Sequence, residues 1–145
     1  MLKRSAAALL LTMMVSFLAL FSAAQSEERF KARLAPVPID ANERSNVTGV
    51  GTASAVLAGN KLSITGTFAG LAGPATVARL HQGVATGVRG NAFHDLTVSK
   101  AASGSVSGSF ALTAEQVDSL KKGKVYIQIY SDRAPDGNLW GWLLR

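Results

Sequence analysis

The stretch "KVYIQIYSDRAPDGNLWGWLLR", residues 124–145, carries the strongest local indication of the fold. It holds two runs that alternate in polarity, "KVYIQIYS" and "NLWGWLLR", separated by "APDG". Pro135 fixes φ at the turn, and Gly137 can adopt the left-handed conformation that a tight corner needs. The stretch therefore predicts two antiparallel strands joined as a β-hairpin.

The same period of two extends outward through the rest of the chain. A second hairpin is predicted where Gly59 and Asn60 separate two alternating runs, because this pair tolerates the positive φ of a tight turn. Further alternating runs are "RFKARLA", "TVARLH", "NAFHDLTV" and "GSVSGSFALT". About eight short strands predict an all-β, antiparallel fold, either an immunoglobulin-like β-sandwich or a small barrel.

One short helix interrupts this pattern. Thr113 can cap the free backbone amides of a helix start, and Gln116 stands at the position that completes a capping box. Gly123 marks the end of "AEQVDSLKK". We therefore expect a single helix between the sixth and seventh strands.

Residues 1–24 have the pattern of a secretory signal peptide. Lys3 and Arg4 precede an apolar run from Ala6 to Phe21, which is shorter than the roughly 20 residues that cross a bilayer. Ser22 and Ala24 supply the small residues expected before a cleavage point. We expect an exported protein, periplasmic or secreted, with a β-sandwich domain at residues 25–145 and no membrane span after cleavage.

The composition after residue 24 narrows the class of partner. It contains no cysteine, and removing Lys3 and Arg4 from the fifteen Lys and Arg leaves thirteen against nine Asp and Glu, a formal charge of +4. The one basic cluster, Lys121, Lys122 and Lys124, fits a solvated helix end. The charges are otherwise scattered, so nucleic acid is not an expected partner.

Motifs for catalysis are absent from the sequence. The candidate nucleophile turn "GSVSG" has Val106 where the serine would stand, and "GVGTAS" lacks the pattern of a phosphate loop. His81 and His94 are too few for a three-histidine metal centre, although with a carboxylate they could hold zinc or copper weakly. We expect no catalytic residue and no cofactor, and retain a weak metal site at His81 and His94 as the alternative.

The order of motifs resembles the CHRD domain family, over roughly residues 30–145. The resemblance rests on Ala78 and His81 in a strand followed by glycines, on the helix start "LTAEQ", and on a closing hairpin. The matching hairpin positions are Gly123, Tyr126, Pro135, Gly137, Gly141 and Leu143. Departures from the family pattern fall at Arg79, Tyr130, Asn138, Trp140 and Trp142, mostly in place of histidine or charged residues. The resemblance implies an extracellular binding or interaction module of unknown ligand.

Two groups of residues are the candidate sites. One face of the first closing strand carries Tyr126, Gln128 and Tyr130, and one face of the second carries Trp140 and Trp142. If the two strands pair as a hairpin, these side chains would form a partner-binding patch. The alternative is that both tryptophans belong to the core.

Arg79 and His81 are expected to form a polar network. The partner would be an extracytoplasmic protein or a polysaccharide. An anionic polysaccharide is a further candidate, because Arg29, Lys31 and Arg33 share one strand face.

Overall fold

The computed structural model describes residues 25–145, so the predicted signal peptide lies outside the described residues. Within this range the chain forms eight strands, one α-helix and a short 3-10 turn at Ala41–Glu43. The strands are β1 Glu27–Pro36, β2 Val50–Ala58, β3 Lys61–Ala69, β4 Ala75–Gln82, β5 Asn91–Val98, β6 Gly104–Ala111, β7 Val125–Ser131 and β8 Leu139–Trp142. The helix, α1, is Ala114–Lys121. The all-β, antiparallel prediction with one short helix is confirmed.

The strands close into a barrel in the order β1-β2-β3-β6-β5-β4-β7-β8, and every neighbouring pair is antiparallel. β3 pairs with β6, and β4 pairs with β7, so the chain twice crosses over intervening strands in Greek-key fashion. This is the small-barrel form of the prediction.

The immunoglobulin-like sandwich is not the form seen, because the strands of residues 25–145 close into one barrel and not into two separate sheets. β1 pairs with both β2 and β8, and β5 pairs with both β4 and β6. Two short contacts close the barrel: Ala35 pairs with Trp140 beside Pro36 with Leu139, and Thr97 pairs with Ser107 beside Val98 with Val106. Alternation within a strand predicts its two faces, but it does not predict which distant strand it pairs with.

Alternate side chains on every long strand fill the barrel. On β3, Leu62, Ile64 and Phe68 are at most 3% exposed, and on β7, Ile127 and Ile129 are fully buried. Burying a side chain of this size stabilises the fold by about 1.5–3 kcal/mol each. The residues between them therefore face outward, and the outer faces carry the polar and aromatic side chains.

The predicted turns and helix start are also present. Gly59 adopts a φ of 62° in the β2–β3 turn, and Gly137 adopts a φ of 133° in the β7–β8 turn. Thr113 accepts a hydrogen bond from the Gln116 amide at 3.2 Å, while the Gln116 side chain accepts one from the Thr113 amide at 3.0 Å. This capping box starts α1, whose Leu120 is fully buried against the core.

Candidate functional site

The outer side of β4, β7 and β8 gathers most of the predicted site residues. Tyr126 lies opposite Trp142 on β8 and opposite His81 on β4. Gln128 lies opposite Trp140 on β8 and opposite Arg79 on β4. We call the five rings of this region the aromatic face: His81, Tyr126, Tyr130, Trp140 and Trp142.

The rings of the aromatic face pack on one another. The His81 ring stacks on Tyr126 at a centroid distance of 4.8 Å, and Trp142 lies 4.4 Å from Tyr126 on another side. Trp140 meets Tyr126 edge-on at 5.6 Å and Trp142 at 5.8 Å. Each such pair contributes about 0.5–1.5 kcal/mol beyond its buried area, so the face is a second packed layer outside the barrel.

Less of the predicted patch is accessible than its alternation suggested. Tyr126 is 1% exposed and Gln128 is 3% exposed, whereas Tyr130, Trp140 and Trp142 are half-buried. The loop at residues 83–90 covers the buried part, since Tyr126 bonds to Gly90 of that loop. A partner can therefore contact Tyr130 and the two tryptophans, which are neither fully exposed nor part of the barrel core.

His81 is fixed by hydrogen bonds at both ring nitrogens. Its Nδ1 lies 2.8 Å from the Gly90 carbonyl oxygen, and its Nε2 lies 2.8 Å from the Tyr130 hydroxyl. A carbonyl oxygen can only accept, so Nδ1 carries the proton, and in the neutral ring Nε2 accepts from Tyr130. The Gly90 amide donates to the Tyr126 hydroxyl at 3.0 Å. Gly90 thereby ties the covering loop to two rings of the aromatic face.

The electrostatics of this network favour neutral side chains. Burial lowers the pKa of the His81 imidazole below its usual value of about 6.5, the Gly90 hydrogen bond opposes this, and Arg79 and Arg89 add to the lowering. Burial likewise raises the pKa of the Tyr130 phenol, with Arg79 opposing. Both directions disfavour a tyrosinate paired with an imidazolium. Both side chains of the pair are therefore favoured in their neutral forms.

Two arginines border the aromatic face. Arg79 pairs with Asp95 at 2.9 Å and lies 5.7 Å from the centre of the Tyr130 ring. Arg89 lies 5.6 Å from the centre of the Trp140 ring. Both predicted members of the polar network, Arg79 and His81, thus contact Tyr130, while sequence reasoning missed the role of Arg89.

A groove of about 580 Å³ adjoins Trp140. It lies between the connection after β1 and the β7–β8 turn, and its lining includes Val37, Ile39, Val47 and Arg89. Trp140 packs against the Val37 and Val47 side of this region. The lining combines apolar side chains with charged ones, Asp40, Glu43, Arg89 and Asp136.

Polar bonds hold the walls of this groove in place. Asn138 is fully buried, accepts a hydrogen bond from the Ser131 hydroxyl at 2.8 Å, and donates one to the Thr48 carbonyl oxygen at 2.7 Å. Gln128 donates to the Asp136 carbonyl oxygen at 3.3 Å. The turn is thus fixed to the connection and to the strand beneath it.

The two histidines do not form a shared site. His94 lies opposite Leu80, a fully buried residue, and its ring stacks on Phe110 at 4.3 Å, whereas His81 points to the outer side. Adjacent strand residues face opposite sides of a sheet, so the two rings are separated by the sheet itself. Among residues 25–145, no group of three histidine or carboxylate side chains is placed to hold a metal.

One feature of this site, the role of Gly90, had only a weak signal in the sequence. Gly90 acts through its backbone. The only sequence signal for it is that glycines stand at both ends of the loop, Gly83 and Gly90, and glycine allows one backbone segment to lie close to another. An ideal Cβ at Gly90 would lie 1.7 Å from the Gln82 carbonyl oxygen, so glycine is required there.

Within the described residues, no helix has the length and apolar character needed to cross a membrane.

The fold and face together define a small antiparallel Greek-key barrel with one packed aromatic surface. The sequence model of the CHRD domain matches residues 30–143, and the chain belongs to this family. No curated relative and no solved structure matches the chain. Arg79, Tyr130, Trp140 and Trp142 all lie on or beside the aromatic face.

Proposed function

We propose that this CHRD domain is an exported, non-catalytic binding module that holds an extracytoplasmic protein at the aromatic face. The observation that carries the proposal is Trp140, half-buried beside the Arg89 guanidinium and packed on the apolar cluster next to the groove. Tryptophan and arginine dominate the binding energy of many interfaces. A protein segment with an apolar side chain suits Ile39, which is 37% exposed and lines this groove.

The His81–Tyr130 pair has a positioning role in this proposal. Both ring nitrogens of His81 are occupied, one by the Gly90 carbonyl oxygen and one by the Tyr130 hydroxyl. A neutral imidazole has one donor and one acceptor, so both hydrogen-bonding groups of His81 are used within the protein. The network therefore supports the role of positioning the loop and the rings.

The binding proposal can be tested with a displayed library of random peptides selected on immobilised residues 25–145. We expect selected peptides to bind Trp140→Ala roughly 30-fold more weakly, as for a hot-spot tryptophan, and Arg89→Ala also more weakly. Thr65→Val, on the far side of the barrel, is the matched control and should bind normally. Peptides that bind both groove variants as tightly as the parent chain would overturn the proposal.

Export rests on the signal pattern of residues 1–24 and has its own test. The intact mass of the protein recovered from outside the cytoplasm should correspond to a chain that begins at Gln25. A full-length mass in the cytoplasmic fraction alone would contradict export and leave the binding proposal to stand on its own test.

A further inference from the structure

A second outer surface of the barrel, formed by β1, β2, β3 and β6, carries two parallel rows of polar side chains. The members, read across the four strands, are Arg33, Thr52, Thr67 and Ser105 in one row and Lys31, Ser54, Thr65 and Ser107 in the other. We call this surface the hydroxyl face. Each row consists of one cation followed by three hydroxyls on successive neighbouring strands.

The strand geometry sets the dimensions of the hydroxyl face. Neighbouring strands lie about 4.8 Å apart, so each row is about 14 Å long, and the rows are about 7 Å apart along the strands. Every member of both rows is exposed. A shallow depression of about 970 Å³ runs over the β1–β3 side, and its lining includes Lys31, Arg33 and Thr67.

Most hydroxyls of these rows are available to a ligand, whereas the Ser105 hydroxyl lies 3.4 Å from the Ser99 hydroxyl. Within residues 25–145, the hydroxyls of Thr52, Ser54, Thr65 and Thr67 make no side-chain hydrogen bond to the protein. Each can both donate and accept. The hydroxyl face therefore offers a regularly spaced set of unpaired hydrogen-bonding groups on one surface of the sheet.

The hydroxyl face is positively charged at its β1 edge, where Lys31 and Arg33 begin the two rows. Glu27, which lies on the same side of β1, pairs with Arg29 at 3.4 Å. Lys31 and Arg33 form no ion pair within the described part of the chain. An anionic ligand would therefore meet two cations without an opposing carboxylate.

We propose that the hydroxyl face binds an acidic polysaccharide built from uronic acid units. Such a polymer carries carboxylates, which suit Lys31 and Arg33, and ring hydroxyls, which suit the remaining positions of each row. The two rows contain no aromatic side chain on which the bases of a single-stranded nucleic acid could stack. The proposal does not depend on the aromatic face.

The test measures binding of residues 25–145 to alginate, a uronic acid polymer, with neutral dextran and oligo-dT as comparison ligands. We expect binding to alginate at low salt that weakens as salt screens the cations, and no binding to dextran. Lys31→Thr with Arg33→Thr should weaken alginate binding roughly two- to thirtyfold, because two exposed ion pairs with the polymer are lost.

Two further variants keep the proposal falsifiable. Thr65→Val with Thr67→Val preserves shape and charge, and it should weaken alginate binding by roughly two- to tenfold through lost hydrogen bonds. Arg44→Thr with Arg133→Thr removes the same charge elsewhere and should bind normally. An equal loss in that control, equal or tighter binding of oligo-dT, or no alginate binding at low salt would overturn the proposal. Unchanged alginate binding by Trp140→Ala would separate this site from the aromatic face.

Discussion

The aromatic face and the hydroxyl face are two outer surfaces of one barrel that differ in how they meet solvent. On the aromatic face, Tyr126 is 1% exposed beneath the loop at residues 83–90, although it points away from the barrel core. On the hydroxyl face, Thr65 points outward in the same way and is exposed. Large outward-facing rings can pack against a loop that covers them, whereas short outward-facing hydroxyl side chains leave the sheet surface exposed to solvent.

The largest expected effect is on the aromatic face. Tyr126→Ala removes a buried ring that contacts His81, Trp140 and Trp142, so we expect a loss of about 3–5 kcal/mol in the free energy of unfolding. Thr65→Val should change it by about 0.5 kcal/mol or less. Urea unfolding of both variants measures the contrast, and similar losses would show that the aromatic face is not a packed layer.

A smaller effect is expected from the polar network. His81→Gln cannot satisfy both Gly90 and Tyr130 in the same geometry, so we expect a loss of about 1–3 kcal/mol near pH 7.5. His94→Gln is the matched control, because its ring lies outside this network. An equal or greater loss in the control would contradict the role given to His81.

The stability of the parent chain should also depend on pH through His81. Its pKa is lowered by burial on folding, so the unfolded state binds more protons between the folded pKa and about 6.5. The stabilisation is present in full above about pH 6.5 and is lost as pH falls through the folded pKa. The stability gap between the parent and His81→Gln should narrow on acidification from pH 7.5 to 5. A gap that widens would mean that the pKa is raised instead.

The smallest stability effect is expected on the hydroxyl face. Lys31→Thr with Arg33→Thr removes two exposed cations that form no ion pair in residues 25–145, and threonine suits a strand. The free energy of unfolding should change by about 0.5 kcal/mol or less. A loss above about 2 kcal/mol in thermal or urea unfolding would show that this face is packed against something else.

Local sequence patterns predicted a large part of the fold, because turns, caps and alternation act over a few residues. The Thr113 capping box, the Gly59 turn and the inward positions of Leu62 and Ile64 are all of this kind. Barrel closure depends instead on pairings between distant strands, such as Ala35 with Trp140, which no local pattern specifies.

The candidate sites show the same division. The sequence places Thr65 and Ser107 on the outward faces of their own strands, but they become neighbours only because β3 pairs with the non-consecutive β6. Likewise, the burial of Tyr126 depends on Gly90, which is supplied by a loop and acts through its backbone. The residues of a face could be predicted from the sequence, whereas its cover and its neighbours could not.

The central claim is that the aromatic face is a binding surface whose His81 ring is neutral and held by hydrogen bonds to Gly90 and Tyr130. Nitrogen NMR of the His81 imidazole tests this claim directly. We predict a neutral ring at pH 7 with the proton on Nδ1 and a pKa below about 6.5. A ring that is protonated at pH 7, or that carries its proton on Nε2, would contradict the account, because the neutral pair with Tyr130 or the bond from Nδ1 to Gly90 would then be absent.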